Sequence, residues 1–135
     1  SGADAMVISN HGGRQLDGAP SSIACLSDVV QAVQAEKSDI EIWLDSGIRS
    51  GQDVLKAVAL GAKGTMIGRS FLYGLGAYGE DGVRRALEIL YKECDVTMAF
   101  CGHTNINNVT DDILVKGTYE YLKTSIPQLE PIRWG

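Results

Sequence analysis

The sequence predicts an α/β fold with a parallel sheet, and three observations predict it. Apolar runs of only four or five residues alternate with stretches of helical periodicity. The connections between them are tight, and such alternation implies parallel strands joined by right-handed crossovers. The third observation is length. Three strands alone would leave both sheet edges open to another chain, and a (βα)8 barrel typically takes about 250 residues. The 135-residue chain is therefore read as the C-terminal half of a single barrel domain, strands six to eight with the closing helices. An open doubly wound sheet is the structural alternative. The opening Ser1-Gly2-Ala3-Asp4 has neither an initiator Met nor the basic-then-apolar pattern of a signal peptide, as expected of a cut inside a longer protein.

In chain order, Ala5-Met6-Val7-Ile8 reads as a strand buried on both faces. Ile23, Leu26, Val29, Val30 and Val33 recur at helical spacing after Ser21 or Ser22 as N-cap. A second strand runs from Ile40 to Leu44 and keeps one polar residue, Glu41. The next helix opens on Ser50-Gly51-Gln52-Asp53, close to a capping box, turns Val54, Leu55 and Val58 inward, and stops at Gly61. Thr65-Met66-Ile67 forms the third strand. Gly82 to Phe100 then carries Val83, Leu87, Leu90 and Cys94 on one stripe, and a shorter amphipathic segment follows Thr110-Asp111-Asp112. The tail after Lys116, with Pro127 and Pro131, is read as wrapping a surface.

Composition narrows the function. Hydrophobic residues make up 44% and charged residues 21%, values of a soluble globular protein, and no apolar run nears the roughly 20 residues that span a bilayer. A net charge of −5, from 17 acidic and 12 basic residues, argues against nucleic acid as a partner, whose sites carry a basic excess. It leaves room for a few arginines to converge on one phosphate. Cys25, Cys94 and Cys101 are odd in number and form no Cys-x-x-Cys pair, which favours reduced core thiols in a cytoplasmic protein. Cys101 and His103 flank one glycine, but two candidate ligands do not make a metal site.

Parallel strands place their C-terminal ends on one face, so the residues just after each apolar run should meet. These are Ser9-Asn10-His11-Gly12-Gly13-Arg14-Gln15, then Asp45-Ser46-Gly47-Ile48-Arg49-Ser50-Gly51, then Gly68-Arg69-Ser70. In α/β barrels that face holds the active site, and loops after the last strands often bind phosphate. Gly47, Gly51 and Gly68 leave backbone N–H groups unshielded, Arg49 and Arg69 add fork-shaped donors, and the helix beginning near Ser50 adds its dipole. Glycines that merely make tight turns, with arginines paired to surface acids, would explain either loop alone; two successive loops favour phosphate. Imidazoles exchange protons in the physiological range, and a guanidinium can grip a carboxylate through two bonds, which makes His11 and Arg14 the sharper pair.

The stretch from Gly2 to about Asn108 resembles the FMN-dependent 2-hydroxy-acid dehydrogenases and oxidases. That family includes glycolate oxidase, lactate oxidase and dehydrogenase, mandelate dehydrogenase and flavocytochrome b2. The resemblance rests on Ser9-Asn10-His11-Gly12-Gly13-Arg14-Gln15-Leu16-Asp17, Asp45-Ser46-Gly47-Ile48-Arg49 and Ile67-Gly68-Arg69. The first motif is highly specific; the others are shared with other FMN barrels. Many members have glycine where Ser46 stands, so a small hydroxyl should be tolerated there. The resemblance implies FMN as cofactor, His11 as active-site base and Arg14 as the substrate-carboxylate residue. Ser9 would touch the flavin ring, and Asp45, Ser46, Gly47, Ile48 and Arg49, with Gly68 and Arg69, would hold the ribityl and phosphate end. It further implies oxidation of an (S)-2-hydroxy acid to a 2-oxo acid, with oxygen, a quinone or a cytochrome accepting the electrons, and a homotetramer. Family members supply an aspartate, a lysine, tyrosines and a second arginine from earlier strands, which have no counterparts here. Some are held on the inner membrane by an upstream insertion. Two other readings compete: a different phosphate-binding barrel, such as an isomerase or nucleotide dehydrogenase, and a half-barrel without catalysis.

Overall fold

Strand β1 (Ala5–Ile8), strand β2 (Glu41–Leu44) and strand β3 (Gly64–Thr65) lie parallel in that order in the computed structural model, which describes residues 2–115. Ala5 to Ile8 pair with Glu41 to Leu44, and Trp43 and Leu44 pair with Gly64 and Thr65. The third strand starts earlier and ends sooner than the apolar run Thr65-Met66-Ile67 predicts. The Met66 amide still donates to the Leu44 carbonyl, but Ile67 has left the ladder for the core.

One face of the sheet is dry. Ile42 and Leu44 are buried there with Leu26, Ile48, Ala57 and Ala62, and Met6 and Ile8 pack against them. The other face carries the alternate residues. Ala5 is exposed and Val7 is 49% exposed, so β1 is not buried on both faces as its composition predicts. Helices cover only one side of the sheet among the described residues. On the uncovered side the Trp43 ring lies over Gly64, where a Cβ would come within 2.6 Å of it.

Helix α1 (Ser22–Ala35) sends Leu26 into the core, with Ile23, Val29, Val30 and Val33 packed around it. Helix α2 (Gly51–Ala59) has the capping box its sequence promises: the Ser50 hydroxyl accepts from the Asp53 amide, and the Asp53 carboxylate accepts from the Ser50 amide. The chain leaves α2 through Gly61, at φ 102°, a conformation glycine adopts freely. Helix α2 is sandwiched. Ala57 faces the sheet, while Leu55 and Ala59 face a second cluster with Val109, Cys94, Met98 and Ile106.

That cluster rests on α3 (Arg69–Phe100), which begins well before the predicted Gly82 and breaks at Tyr78 and Gly79, where the dihedrals leave the helical range. Its two arms touch backbone to backbone, since a Cβ at Gly82 would overlap the Gly74 carbonyl oxygen. The inward stripe of the second arm is Gly82, Val83, Ala86, Leu90 and Cys94. Leu87, expected on that stripe, is 51% exposed because Ala86 and Leu90 take the inward positions one turn apart. The short segment after Thr110 is a single 3-10 turn, Asp111–Ile113. The proline-bearing tail lies outside the described residues. Cys25 and Cys94 are half-buried thiols, but Cys101 is exposed and so is not the core thiol expected. No helix of the described residues is long and apolar enough to cross a membrane.

Candidate functional site

The C-terminal ends of the three strands open into one cleft of about 570 Å3. It is lined by residues from all three loops, among them His11, Gly12, Gly13 and Arg14 after β1, Asp45 through Arg49 after β2, and Gly68, Arg69 and Ser70 after β3. The convergence that parallel strands dictate is therefore realised. His11, Arg14, Arg49 and Arg69 share one mouth, all of them exposed.

The loop after β1 is held by its own polar side chains. The Asn10 amide donates to the Ser22 hydroxyl, which is 2% exposed at the start of α1. The Asn10 side chain donates to the Pro20 carbonyl and accepts from the Gly13 amide. This folds His11–Gly13 into a 3-10 turn. His11 has φ 58°, left-handed backbone that disfavours any residue with a Cβ by about 1–2 kcal/mol. Strain of that kind concentrates at functional sites. Ser9 does not line the cleft; its hydroxyl accepts the His11 amide from behind.

The other two loops reach across to this turn. The Gly12 amide donates to the Ser46 hydroxyl at 3.1 Å, and that hydroxyl donates to Asp45 Oδ1 at 2.6 Å. The Gly12 carbonyl accepts from Arg69 Nη2 at 3.1 Å. Ile48 borders the cleft, but its side chain is only 6% exposed and belongs to the core, while its carbonyl accepts the Ser70 hydroxyl.

Two of the features expected to receive phosphate behave differently from the rest. Gly47 and Gly68 are open, with nothing within 4 Å of an added Cβ. Gly51 is closed, and its amide donates to Glu93 Oε2 of α3 at 2.9 Å. The Arg49 and Ser50 amides both donate to Asp53 Oδ2. Two carboxylates therefore already occupy the start of α2, and its dipole is not offered to a ligand. Neither the Ser46 bridge nor the Glu93 cap is visible in a local motif, because each joins residues far apart in sequence.

Charge favours an anionic guest. Among the described residues the ion pairs are Arg84–Glu80 and Arg85–Glu88, both on α3. Among those residues Arg14, Arg49 and Arg69 are thus not paired to surface acids. Three guanidiniums face the cleft against a single carboxylate, Asp45, which is engaged with Ser46. Among the described residues no group of three or more His, Cys, Asp or Glu side chains could hold a metal.

Comparison with known proteins agrees with this chemistry. Residues 1–116 match the model of the FMN-dependent dehydrogenases. The chain is 51% identical over 114 residues to an L-lactate dehydrogenase of Actinobacillus pleuropneumoniae serotype 5b, covering 84% of this chain and 29% of that protein. It is 48% identical over 109 residues to a peroxisomal (S)-2-hydroxyacid oxidase of Arabidopsis thaliana, covering 81% and 29%. Among solved structures, a mandelate oxidase with benzoyl-formic acid is 46% identical with a TM-score of 0.75, covering 80% of this chain and 31% of that one. The flavin-binding domain of baker's yeast flavocytochrome b2 is 36% identical with a TM-score of 0.76, covering 96% and 36%. The chain thus spans under a third of the length of these curated relatives.

Proposed function

The chain belongs to the FMN-dependent dehydrogenase family, and from that premise we propose that the full-length protein oxidises an (S)-2-hydroxy acid, of lactate, glycolate or mandelate type, to its 2-oxo acid. The observation that carries this reading is the cleft, where one imidazole and three guanidiniums meet at the ends of parallel strands. A different phosphate-binding barrel would use Arg49 and Arg69 and leave His11 and Arg14 idle.

The cleft suits FMN. Its volume lies within the roughly 300–1,000 Å3 usual for cofactor sites, Gly47 and Gly68 give a phosphate or ribityl chain close access to backbone, and the guanidiniums match a phosphate dianion. When bound, FMN supplies the two-electron acceptor. Asp45 through Arg49, with Gly68 and Arg69, would hold its ribityl and phosphate end, and Ser9, outside the cleft lining but two residues before His11, would touch the ring. Arg14 grips the substrate carboxylate through two bonds, which fixes the α-carbon relative to His11. His11 then takes the proton that leaves the substrate, from the α-carbon or from the hydroxyl. The imidazolium so formed draws its counter-charge from an upstream strand.

The sheet is proposed as strands six to eight of an eight-stranded barrel in a tetrameric enzyme, with oxygen, a quinone or a cytochrome as the onward acceptor. The protein is assigned to the cytoplasm, any hold on the inner membrane being made by an upstream segment. These 135 residues by themselves are expected to turn over little or no substrate. Among the described residues β1 and β3 each keep one unpaired edge, and Val7 and Met66 are 49% and 41% exposed.

The test is the visible spectrum of the full-length protein, recorded anaerobically with lactate, glycolate and mandelate in turn. A yellow protein that bleaches with one of them supports the reading. A colourless protein that binds a sugar phosphate refutes it. His11→Ala should abolish bleaching, by about 100-fold or more, and leave the yellow colour. Reduction at the parent's rate in that variant would remove His11 from the chemistry.

A further inference from the structure

We propose that Ser46 is a positioning residue, whose hydroxyl sets the place of His11 by tying the His11–Gly13 turn to Asp45. The inference rests on the function proposed above, in which Ser46 stands among the residues that would hold FMN, and adds a second role, acting on the base through the turn that carries it.

Three observations carry it. First, Ser46 has φ 71°, in the left-handed region where glycine is at ease and a residue with a Cβ is not. A serine kept there needs an interaction that glycine could not make. Second, that interaction is present. The hydroxyl donates its proton to Asp45 Oδ1 at 2.6 Å, which turns its lone pairs toward the Gly12 amide, 3.1 Å away. The hydrogen is committed to the carboxylate, so the oxygen serves the amide as acceptor only. Third, the same residue is held on its other side, since the Gly12 carbonyl accepts from Arg69. Loops after β2 and β3 therefore grip the residue that directly follows His11, one by each polar group of its backbone.

Water could satisfy the Gly12 amide as well as Ser46 does, because the turn is exposed. It could not fix the distance between the β1 and β2 loops. Small misplacements of a reacting group cost rate out of proportion to the energy of the lost contact. The role of Ser46 is thus geometric, and it should act on the chemical step more than on substrate affinity.

The choice of variants separates this from a structural role. Ser46→Gly relieves the backbone and removes the hydroxyl; Ser46→Ala removes the hydroxyl and keeps the strain. In the full-length enzyme both should lower kcat by about tenfold and leave KM within about twofold. Hydrogen–deuterium exchange of the peptide spanning His11–Gly13 should quicken in both. The proposal is overturned if Ser46→Gly retains the parent's kcat, or if exchange at the turn is unchanged. Should the parent oxidise no 2-hydroxy acid, the proposed function fails while the exchange measurement still decides for or against the bridge.

Discussion

An added Cβ at Gly47 would meet nothing within 4 Å, whereas one at Gly51, four residues on, would lie 2.1 Å from the backbone nitrogen of Cys94. Gly47 lies in the turn that joins β2 to α2 and Gly51 is the first residue of α2, yet both read alike in sequence. Gly47 stands at the cleft with φ 92° and open space before it. Gly51 is buried in the seam between α2 and α3, where backbone meets backbone and Glu93 takes its amide. The cleft rim keeps its backbone clear for a ligand and ties its loops together by side-chain hydrogen bonds. The seam uses the same residue type to let two helices close. A glycine-rich turn after a parallel strand is thus two structures, and only its first half belongs to the site.

Gly51→Ala should break the seam most severely. The added methyl has no flexible side chain to displace, only the α3 backbone, so the helices must part; overpacking of this kind costs about 1–3 kcal/mol, and the upper end is expected. Urea denaturation of the full-length protein measures it, and a midpoint equal to the parent's would show that the two glycines are not different in kind. Gly47→Ala should cost less stability, about 1 kcal/mol for the left-handed backbone, and show its larger effect in weakened FMN binding, followed by flavin fluorescence. If its stability loss matched that of Gly51→Ala and FMN bound normally, Gly47 would belong with the packing glycines.

Legibility in the sequence follows the range of the interaction. Strands β1 and β2 and the Ser50–Asp53 box depend on neighbours within a few residues, and the apolar runs and capping pattern reveal them. The meeting of His11, Arg14, Arg49 and Arg69 was legible too, because parallel strands must deliver their following loops to one face. Gly74, Gly76, Gly79 and Gly82 run from the first arm of α3 across the break to the start of the second, and because each lowers helix propensity by about 1 kcal/mol they hide the first arm. Two of those glycines are where the arms touch, so tertiary contact overrides local preference. The capping of α2 by Glu93 and the tie from Ser46 to Gly12 join residues 42 and 34 positions apart. Nothing in a local pattern marks such partners.

Glu93→Gln sharpens the contrast on the seam side with a smaller effect. The amide side chain can still accept from Gly51, but the negative charge at the start of α2 is gone. A loss of about 0.3–1 kcal/mol is expected, with FMN affinity unchanged because this helix end does not face the cleft ligand. Tighter FMN binding in the variant would mean that Glu93 competes with the phosphate after all, and that the α2 dipole belongs to the site.

The smallest effect is one of pH, and it tests whether the seam is dry. Burial, and then the neighbouring Asp95 carboxylate, push the pKa of the Cys94 thiol up. The unfolded chain then gives up this proton at a lower pH than the folded protein does. The stabilisation is complete below the ordinary thiol range and is lost as pH rises through the raised folded value. The urea midpoint of the full-length protein should therefore fall as pH rises above the ordinary thiol value of about 8.5, and fall less steeply in Cys94→Ala. Every other group is common to the two proteins, so the difference between the two slopes isolates the thiol. Equal slopes would mean that water reaches Cys94, and that the close approach at Gly51 does not seal the helices.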